Sequence, residues 1–520
     1  MATRSLDVVI LGGGNAGMGV TVATREAGLK VAMIEPDLLG GTCPNRGCMP
    51  KKVLVAAAHA LDEIERAKAH HISVGKPSLD WAALIDREKA MIAGIPGSLA
   101  DLMNRRGVEV IRDRGRFAGP NAIAVDGEIL EAKHIVIATG SKPRRLPFPG
   151  AELMITSDDV LNERTLPASV VFVGGGVIAL EFSHVYARAG AGVTILEMPP
   201  RLLANMDADA VAQLRSETER IGVAIHAGVE IQRIEQVGDR LRVIYQEGGS
   251  ERSVEAHRVV NGAGRIADVD SLDLAAGGVA SEREQIALDA YLRSTSNPAV
   301  YACGDAVATS PQLSPIATYE GRVVGRNIVE GPNHVPDYAS IPACVFTVPA
   351  LAIVGLTQAA AEERGIEFRA EVNDVRNWLS GRTYAETAAW AKVLVDKQTD
   401  RIIGAHILGH AGEELIHIFA LAMKHGITAA EIRDLVYGFP TFSADVVGAD
   451  VLYPHDRDLG VGVQDLCRSL TRPACDTQQP RIRRQLPVQR GKARSLSAFH
   501  RLNTILDAAR GRAPMPALAS

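Results

Sequence analysis

Cys43 and Cys48 stand five positions apart in the segment Gly40-Gly41-Thr42-Cys43-Pro44-Asn45-Arg46-Gly47-Cys48-Met49-Pro50-Lys51-Lys52, just before an apolar, helix-like run. Two thiols at this spacing can close a small redox-active disulfide ring. Zinc ligands more often form CxxC pairs with a second pair or histidines nearby, and no such set follows. A thiolate near a helix start gains from the positive end of the helix dipole, and Lys51 or Lys52 adds a cation. Both effects lower a thiol pKa towards neutrality. The spacing alone fits two buried, unreactive cysteines equally well, so the surrounding elements must decide.

Those elements are two nucleotide folds built the same way. Asp7 to Glu35 reads as strand, Gly-rich turn, helix and strand, with Gly12, Gly14 and Gly17 in GxGxxG order. The first glycine allows the tight turn, the second lets a pyrophosphate approach the backbone, and the third lets helix and strand pack closely. Glu35 then ends the next strand, where a carboxylate accepts from a ribose diol. The pattern recurs from Ser169 to Glu197, with Gly174, Gly176 and Ala179 as GxGxxA and Glu197 in the ribose position. Two intact turns imply two dinucleotides, one able to hand electrons to the other. Further on, Val300-Tyr301-Ala302-Cys303-Gly304-Asp305 is a strand that delivers a carboxylate to its C-terminal end, where ligands bind in open α/β sheets. From about residue 338, strand-like segments (343–348, 391–395, 401–407) alternate with an amphipathic helix at 413–425, which predicts a separate α+β domain.

Bulk properties agree with a soluble, multidomain protein. A chain of 520 residues is too long for one core, and 47% hydrophobic with 22% charged residues is ordinary for a globular protein. The net charge of −5 gives no reason to expect nucleic acid or an anionic membrane as partner, and no apolar run is long enough for a membrane span. Six cysteines in so long a chain do not make a disulfide framework, so a reducing, cytoplasmic setting is expected.

In order and type these motifs resemble the pyridine nucleotide-disulfide oxidoreductases, the flavoproteins that include glutathione reductase, dihydrolipoyl dehydrogenase and mercuric reductase. The resemblance runs from about residue 5 to 453 through the first glycine turn, GGTCxNxGCxPK, Ala138-Thr139-Gly140-Ser141, the second turn, Ala263-Gly264-Arg265 and Tyr301 to Asp305. It implies an α/β protein with two Rossmann-like domains, for FAD and NAD(P), and a C-terminal α+β dimerisation domain. The expected division is 1–150 and 269–335 for FAD, 151–268 for NAD(P), 336–455 for the homodimer interface and 456–520 for a tail. By position, Gly12, Gly14, Gly17 and Glu35 would bind the ADP half of FAD, and Asp305 the ribitol. Thr42, Lys52, Thr139, Gly140, Ser141, Ala317 and Gly264 would add cofactor contacts, and Gly174, Gly176, Ala179 and Glu197 would hold the nicotinamide dinucleotide. Cys43 would be the thiol that meets the acceptor, Cys48 the thiol against the flavin, and Lys51 would pair with Glu181. Electrons would then run from nicotinamide to flavin to a Cys43–Cys48 disulfide, and reduced Cys43 would attack the acceptor. Cys303 and Cys344 are expected to fill core space. Glu197, followed by Met198-Pro199-Pro200-Arg201, would repel a 2′-phosphate and accept a 2′-hydroxyl, so NADH is expected over NADPH.

The chain departs from the family near its C-terminus. Glutathione reductase and dihydrolipoyl dehydrogenase carry a histidine and a glutamate that form an acid–base pair across the dimer. Here Tyr437-Gly438-Phe439-Pro440-Thr441-Phe442-Ser443-Ala444-Asp445 puts Phe439 and Ala444 in those places. A packed Tyr437 and a solvated Asp445 are expected. The reading is therefore an NADH-preferring oxidoreductase, dihydrolipoyl dehydrogenase-like but without the dyad, with a small disulfide, quinone or metal ion as acceptor. The alternatives are a mercuric reductase-like metal-ion reductase and a flavin-bound redox-sensing or interaction protein with little turnover. Residues 461–520 lie beyond the resemblance and hold eleven Lys/Arg against three acids, 11 − 3 = +8. This Pro- and Arg-rich tail is expected to be disordered, and can be a solvated extension, a nucleic-acid arm or a thiol shuttle through Cys467 and Cys475.

Overall fold

The computed structural model describes residues 2–283 and 285–447. The tail and its two cysteines lie outside the described residues.

The first sheet has seven strands. Thr3–Leu11 lies between Val31–Ile34 and Glu128–Ile137, pairing in parallel with both. Val8 to Leu11 and Val31 to Ile34 are all buried, as expected of a parallel sheet covered on both faces. Val300–Ala302 returns from far along the chain to pair in parallel with Glu128–Ile137. That return brings Asp305 to the same sheet end as the first glycine turn.

The second sheet runs Ala224–Ala227, Gly192–Glu197, Ser169–Val173 and Arg258–Asn261, all parallel. A three-stranded antiparallel sheet, from Glu230–Val237 to Ser250–Ala256, adjoins it in sequence. The helix Ala208–Arg220 starts at Asp207, whose carboxylate accepts from the backbone N–H groups of Asp209 and Ala210, so an N-cap sets its first turn.

The C-terminal α+β region has five antiparallel strands in the order 343–345, 350–355, 402–409, 390–396 and 368–374, with the helix Gly412–His425 packed against them. The expected strands at 391–395 and 401–407 are present, and that expected over 343–348 ends at Val345. Phe368–Asp374 carries charged residues and gains its strand conformation from long-range pairing, a signal that local pattern does not hold. Lys392 is only 2% exposed and reaches Asp207 and Asp209 on the second fold, so a buried cation ties this region to the nucleotide folds.

Candidate active site: two thiols between two nucleotide turns

Both glycine turns require glycine for the same reason. Gly12 (φ +111°) and Gly174 (φ +103°) lie in left-handed backbone space. An added Cβ would stand 2.2 Å from the Ala138 carbonyl oxygen in the first turn and 2.5 Å from the Gly262 carbonyl carbon in the second. Each turn opens a helix, Asn15–Glu26 and Val177–Ala189, whose N-cap is a glycine without a side-chain cap bond. Their first-turn N–H groups therefore remain available to an anion. Behind the first turn, Glu35 accepts from Gly13 N and Asp37 N at 2.8 Å each. Behind the second, Glu197 accepts from Gly175 N, and burial raises its pKa against the pull of the Gly175 and Met198 N–H groups.

Both turns line one cavity of about 1500 Å³, and the cysteines stand in its wall. Gly140, Ser141, Asp305, Ala317 and Gly264 also line it, as does Thr139, whose buried hydroxyl has no partner. Asp305 accepts from Ser141 Oγ at 2.9 Å, and Arg265 Nε donates to the same Ser141 oxygen at 2.9 Å. Burial raises the Asp305 pKa, opposed by Ser141 and Arg265. Uncapped helix ends, glycine cradles, an unpartnered hydroxyl and ribose-type carboxylates fit two extended dinucleotides.

Cys43 lies in the short helix Thr42–Arg46, and Cys48 begins the long helix Cys48–Arg66. Both are free thiols here rather than a closed disulfide. A hydrogen bond from Cys48 is the main cause that brings the Cys43 pKa down to about 6, against burial and with help from Ser314, Asn15 and Lys51. The same contact, with burial, raises the pKa of Cys48. One turn on, Lys51 Nζ meets Glu181 Oε1 at 2.7 Å, with side chains 11% and 5% exposed. Glu181 also accepts from Phe346 N at 2.8 Å, and Lys51 lies 4.4 Å from the Phe346 ring centre. First fold, second fold and C-terminal region meet at this carboxylate.

The sequence-derived site residues thus converge, with three exceptions. Gly17 and Ala179 pack rather than line the cavity: an added Cβ on Gly17 would stand 2.0 Å from the Gly12 carbonyl oxygen, and Ala179 is fully buried. Lys52, expected among the cofactor contacts, is not brought to the cavity; its amine sits over the Phe346 ring at 3.9 Å and 3.5 Å from Glu413. Of the two cysteines expected as core filler, Cys303 is fully buried, and burial raises its pKa. Cys344 is half-buried, packing against the C-terminal core while also lining the cavity, with burial pushing its thiol up to about 11. Asp445 is not solvated. It is 3% exposed and accepts from Ser380 N at 3.2 Å. Phe439 is 65% exposed, and Tyr437 is part-buried, donating to the Ile432 carbonyl at 3.2 Å. Asn15 and Ser314 at Cys43 were not singled out from sequence, since their meeting spans 299 positions.

The pyridine nucleotide-disulphide oxidoreductase family matches residues 6–321, and its dimerisation domain matches residues 341–449. The chain belongs to this family. Over 451 residues it is 32% identical to a glutathione reductase of Burkholderia cepacia, covering 86% of this chain and 99% of that one. A dihydrolipoyl dehydrogenase of Chlorobaculum tepidum is 31% identical, with coverage of 85% and 95%. A mercuric reductase of Lysinibacillus sphaericus is 28% identical, with coverage of 86% and 83%. Among solved structures, the Cu(II) complex of the HOCl-induced flavoprotein disulfide reductase RclA from Escherichia coli superposes with a TM-score of 0.76 at 26% identity, covering 85% of this chain and 99% of that one. Family members use FAD and NAD(P)H, and this chain is an FAD-dependent oxidoreductase. The dimerisation domain supports a homodimer. No helix among the described residues is long and apolar enough to cross a membrane.

Proposed function

We propose that this enzyme draws an electron pair from NADH and delivers it through Cys48 and Cys43 to an acceptor that takes no proton from a protein histidine. The observation that carries this reading is the thiol pair beside Lys51–Glu181, in one cavity with both glycine turns. The discontinuous division of the flavin region, 1–150 with 269–335, belongs to the same reading and is supported by the return of Val300–Ala302 to the first sheet. Bound FAD supplies two-electron transfer between nicotinamide and thiols. The protein's own residues do the rest. Lys51, held by Glu181, places a cation beside the pair. The Cys43 thiolate attacks one sulfur of an acceptor disulfide and expels the other as a thiolate; Cys48, losing its proton to water, then attacks Cys43 as a thiolate, re-forming the Cys43–Cys48 bond and releasing the second acceptor thiolate. With Phe439 and Ala444 in the dyad positions, the leaving thiolates take their protons from water, which costs disulfide acceptors roughly 10²–10⁴ in rate.

NADH preference rests on Glu197 and on Arg201. The Arg201 guanidinium donates to the carbonyls of Met206 at 2.8 Å and Ala204 at 2.6 Å, so it is held on backbone and not offered to a 2′-phosphate. A kcat/KM for NADPH equal to or above that for NADH sinks this part. The missing acid–base pair favours a second reading, reduction of a metal ion as substrate, because electrons reach a cation without a proton. The mercuric reductase relatives and the copper-bound RclA structure agree with it. Anaerobic NADH titration followed by lipoamide, glutathione disulfide, Hg(II), Cu(II) and a quinone decides between the readings. Retention of acceptor reduction by Cys43→Ser would overturn both.

A further inference from the structure

We infer that Glu320 is a positioning residue for the flavin. It clamps the turn that presents Asp305 to the cavity, and it ties that turn to the segment leading into the C-terminal region. This rests on the reading of Asp305 as the residue that holds the ribitol of FAD. Asp305 stands in the short turn Gly304–Ala306, just after the buried strand Val300–Ala302, and lines the cavity with the first glycine turn. Its own carboxylate accepts from Ser141 Oγ. One residue back, Gly304 N donates to Glu320 Oε2 at 2.7 Å. Glu320 lies fully buried on the helix Ser314–Glu330, and its other oxygen accepts from Tyr338 Oη at 2.6 Å.

A buried backbone N–H needs an acceptor, but a neutral carbonyl would serve. A carboxylate is an unfavourable choice here. Both oxygens of Glu320 are held by neutral donors, and the next residue after Gly304 is itself an acid. What a carboxylate adds is a stronger, more directional bond than a neutral acceptor makes. The turn also has no slack on its other side. Gly304 has φ +70°, and an added Cβ would stand 2.8 Å from Ala16 Cβ and 3.3 Å from Ala317 Cβ. Gly304 is thus wedged between the helices Asn15–Glu26 and Ser314–Glu330 and bonded to the second, which fixes where the Asp305 side chain leaves the backbone. The clamp extends through two adjacent residues. Tyr338 holds Glu320, while Asp337 N donates to Tyr319 Oη at 2.8 Å and the Asp337 carboxylate accepts from Lys424 Nζ at 2.6 Å. Lys424 belongs to the helix Gly412–His425, so the C-terminal region is joined to the helix that holds the Asp305 turn.

The test is the rate of FAD release from the full-length holoenzyme on dilution, read as the rise in free-flavin fluorescence at a temperature where every variant is folded by circular dichroism. Glu320→Met fills much the same space but removes both acceptors, and should release FAD about tenfold faster or more. Glu320→Gln keeps an oxygen for Gly304 N and should stay within about threefold of wild type. Asp305→Ala should also speed release. The deciding arm is Asp305→Ala/Glu320→Met. It should release FAD at about the rate of Asp305→Ala alone, because a residue that acts through another adds nothing once that one is gone. Additive effects mark a general packing role and overturn the proposal. Fast release from Asp305→Ala with wild-type release from Glu320→Met overturns it too, and leaves the reading of Asp305 standing. If Glu320→Met does not fold with flavin, Tyr338→Phe decides: release about threefold faster supports the clamp, and unchanged release overturns it. Wild-type release from Asp305→Ala overturns that reading and the proposal together.

Discussion

The two nucleotide folds are alike in the spacing of their turns and unlike in what their helices attach to. Gly174 and Gly12, like Glu197 and Glu35, are separated by the same interval: 174 − 12 and 197 − 35 both give 162. At that interval Glu181 corresponds to Gly19, and the difference decides the architecture. Gly19 lets the first helix press against Ser314–Glu330, backbone to backbone. Glu181 instead presents a buried carboxylate to Lys51 on the cysteine helix. The motif sets how a dinucleotide is held. The outward face of the helix sets what the fold packs against, the helix Ser314–Glu330 in one case and Lys51 of the cysteine helix in the other.

The sharpest way to break the comparison is at the turns. Gly12→Ala and Gly174→Ala each combine a strained left-handed backbone with a steric overlap. Gly12→Ala should leave the purified protein colourless. Gly174→Ala should keep the flavin spectrum while NADH reduction slows by a hundredfold or more, on the order of 3 kcal/mol. Equal flavin loss in both would mean that the two turns are not assigned to different dinucleotides.

Next in size is the Lys51–Glu181 pair. Leaving either charge buried without its partner should cost about 3–5 kcal/mol, so Lys51→Met or Glu181→Gln should lower the denaturation midpoint sharply, and Lys51→Met/Glu181→Leu should recover much of it. The counterpart on the first fold is Gly321→Val, which overfills the helix crossing and should cost about 1–3 kcal/mol without changing any charge.

The smallest effect is one of pH. His184 on the second helix is fully buried, and burial holds its pKa well below the usual histidine value. Val348 N donates to its Nδ1 at 3.2 Å and its Nε2 meets Thr218 Oγ1 at 2.9 Å, the pattern of a neutral ring. The unfolded chain takes up a proton below about pH 6.5 that the folded ring refuses, so stability falls as pH drops, by up to about 1.4 kcal/mol per unit. Val22 occupies the matching place in the first fold and titrates nothing. Urea melts at pH 7.5 and 5.5 should therefore show a shallower loss for His184→Gln than for wild type; equal slopes would contradict the assignment.

Much of this was legible in the chain because its signals are local. A glycine turn needs a particular backbone, and a parallel strand buried on both faces reads as an apolar run, so 169–173 and 300–302 stand in the structure where the sequence put them. The Lys51–Glu181 pair came from family resemblance and not from spacing, since 130 positions separate the two. Asp445 read as a solvated carboxylate because nothing local shows that the Ser380 backbone N–H waits for it.

The sequence by itself determined two dinucleotide turns, a dithiol next to one of them, and the absence of histidine at Phe439, because each is a matter of residue type within a short window. Only the tertiary structure decided which groups act on the thiols. Asn15, Ser314, Lys51 and Glu181 come from four helices, and their effect on a sulfur depends on separations of a few ångströms that only packing fixes, since hydrogen bonds and buried charges lose their strength steeply with distance and with access of water.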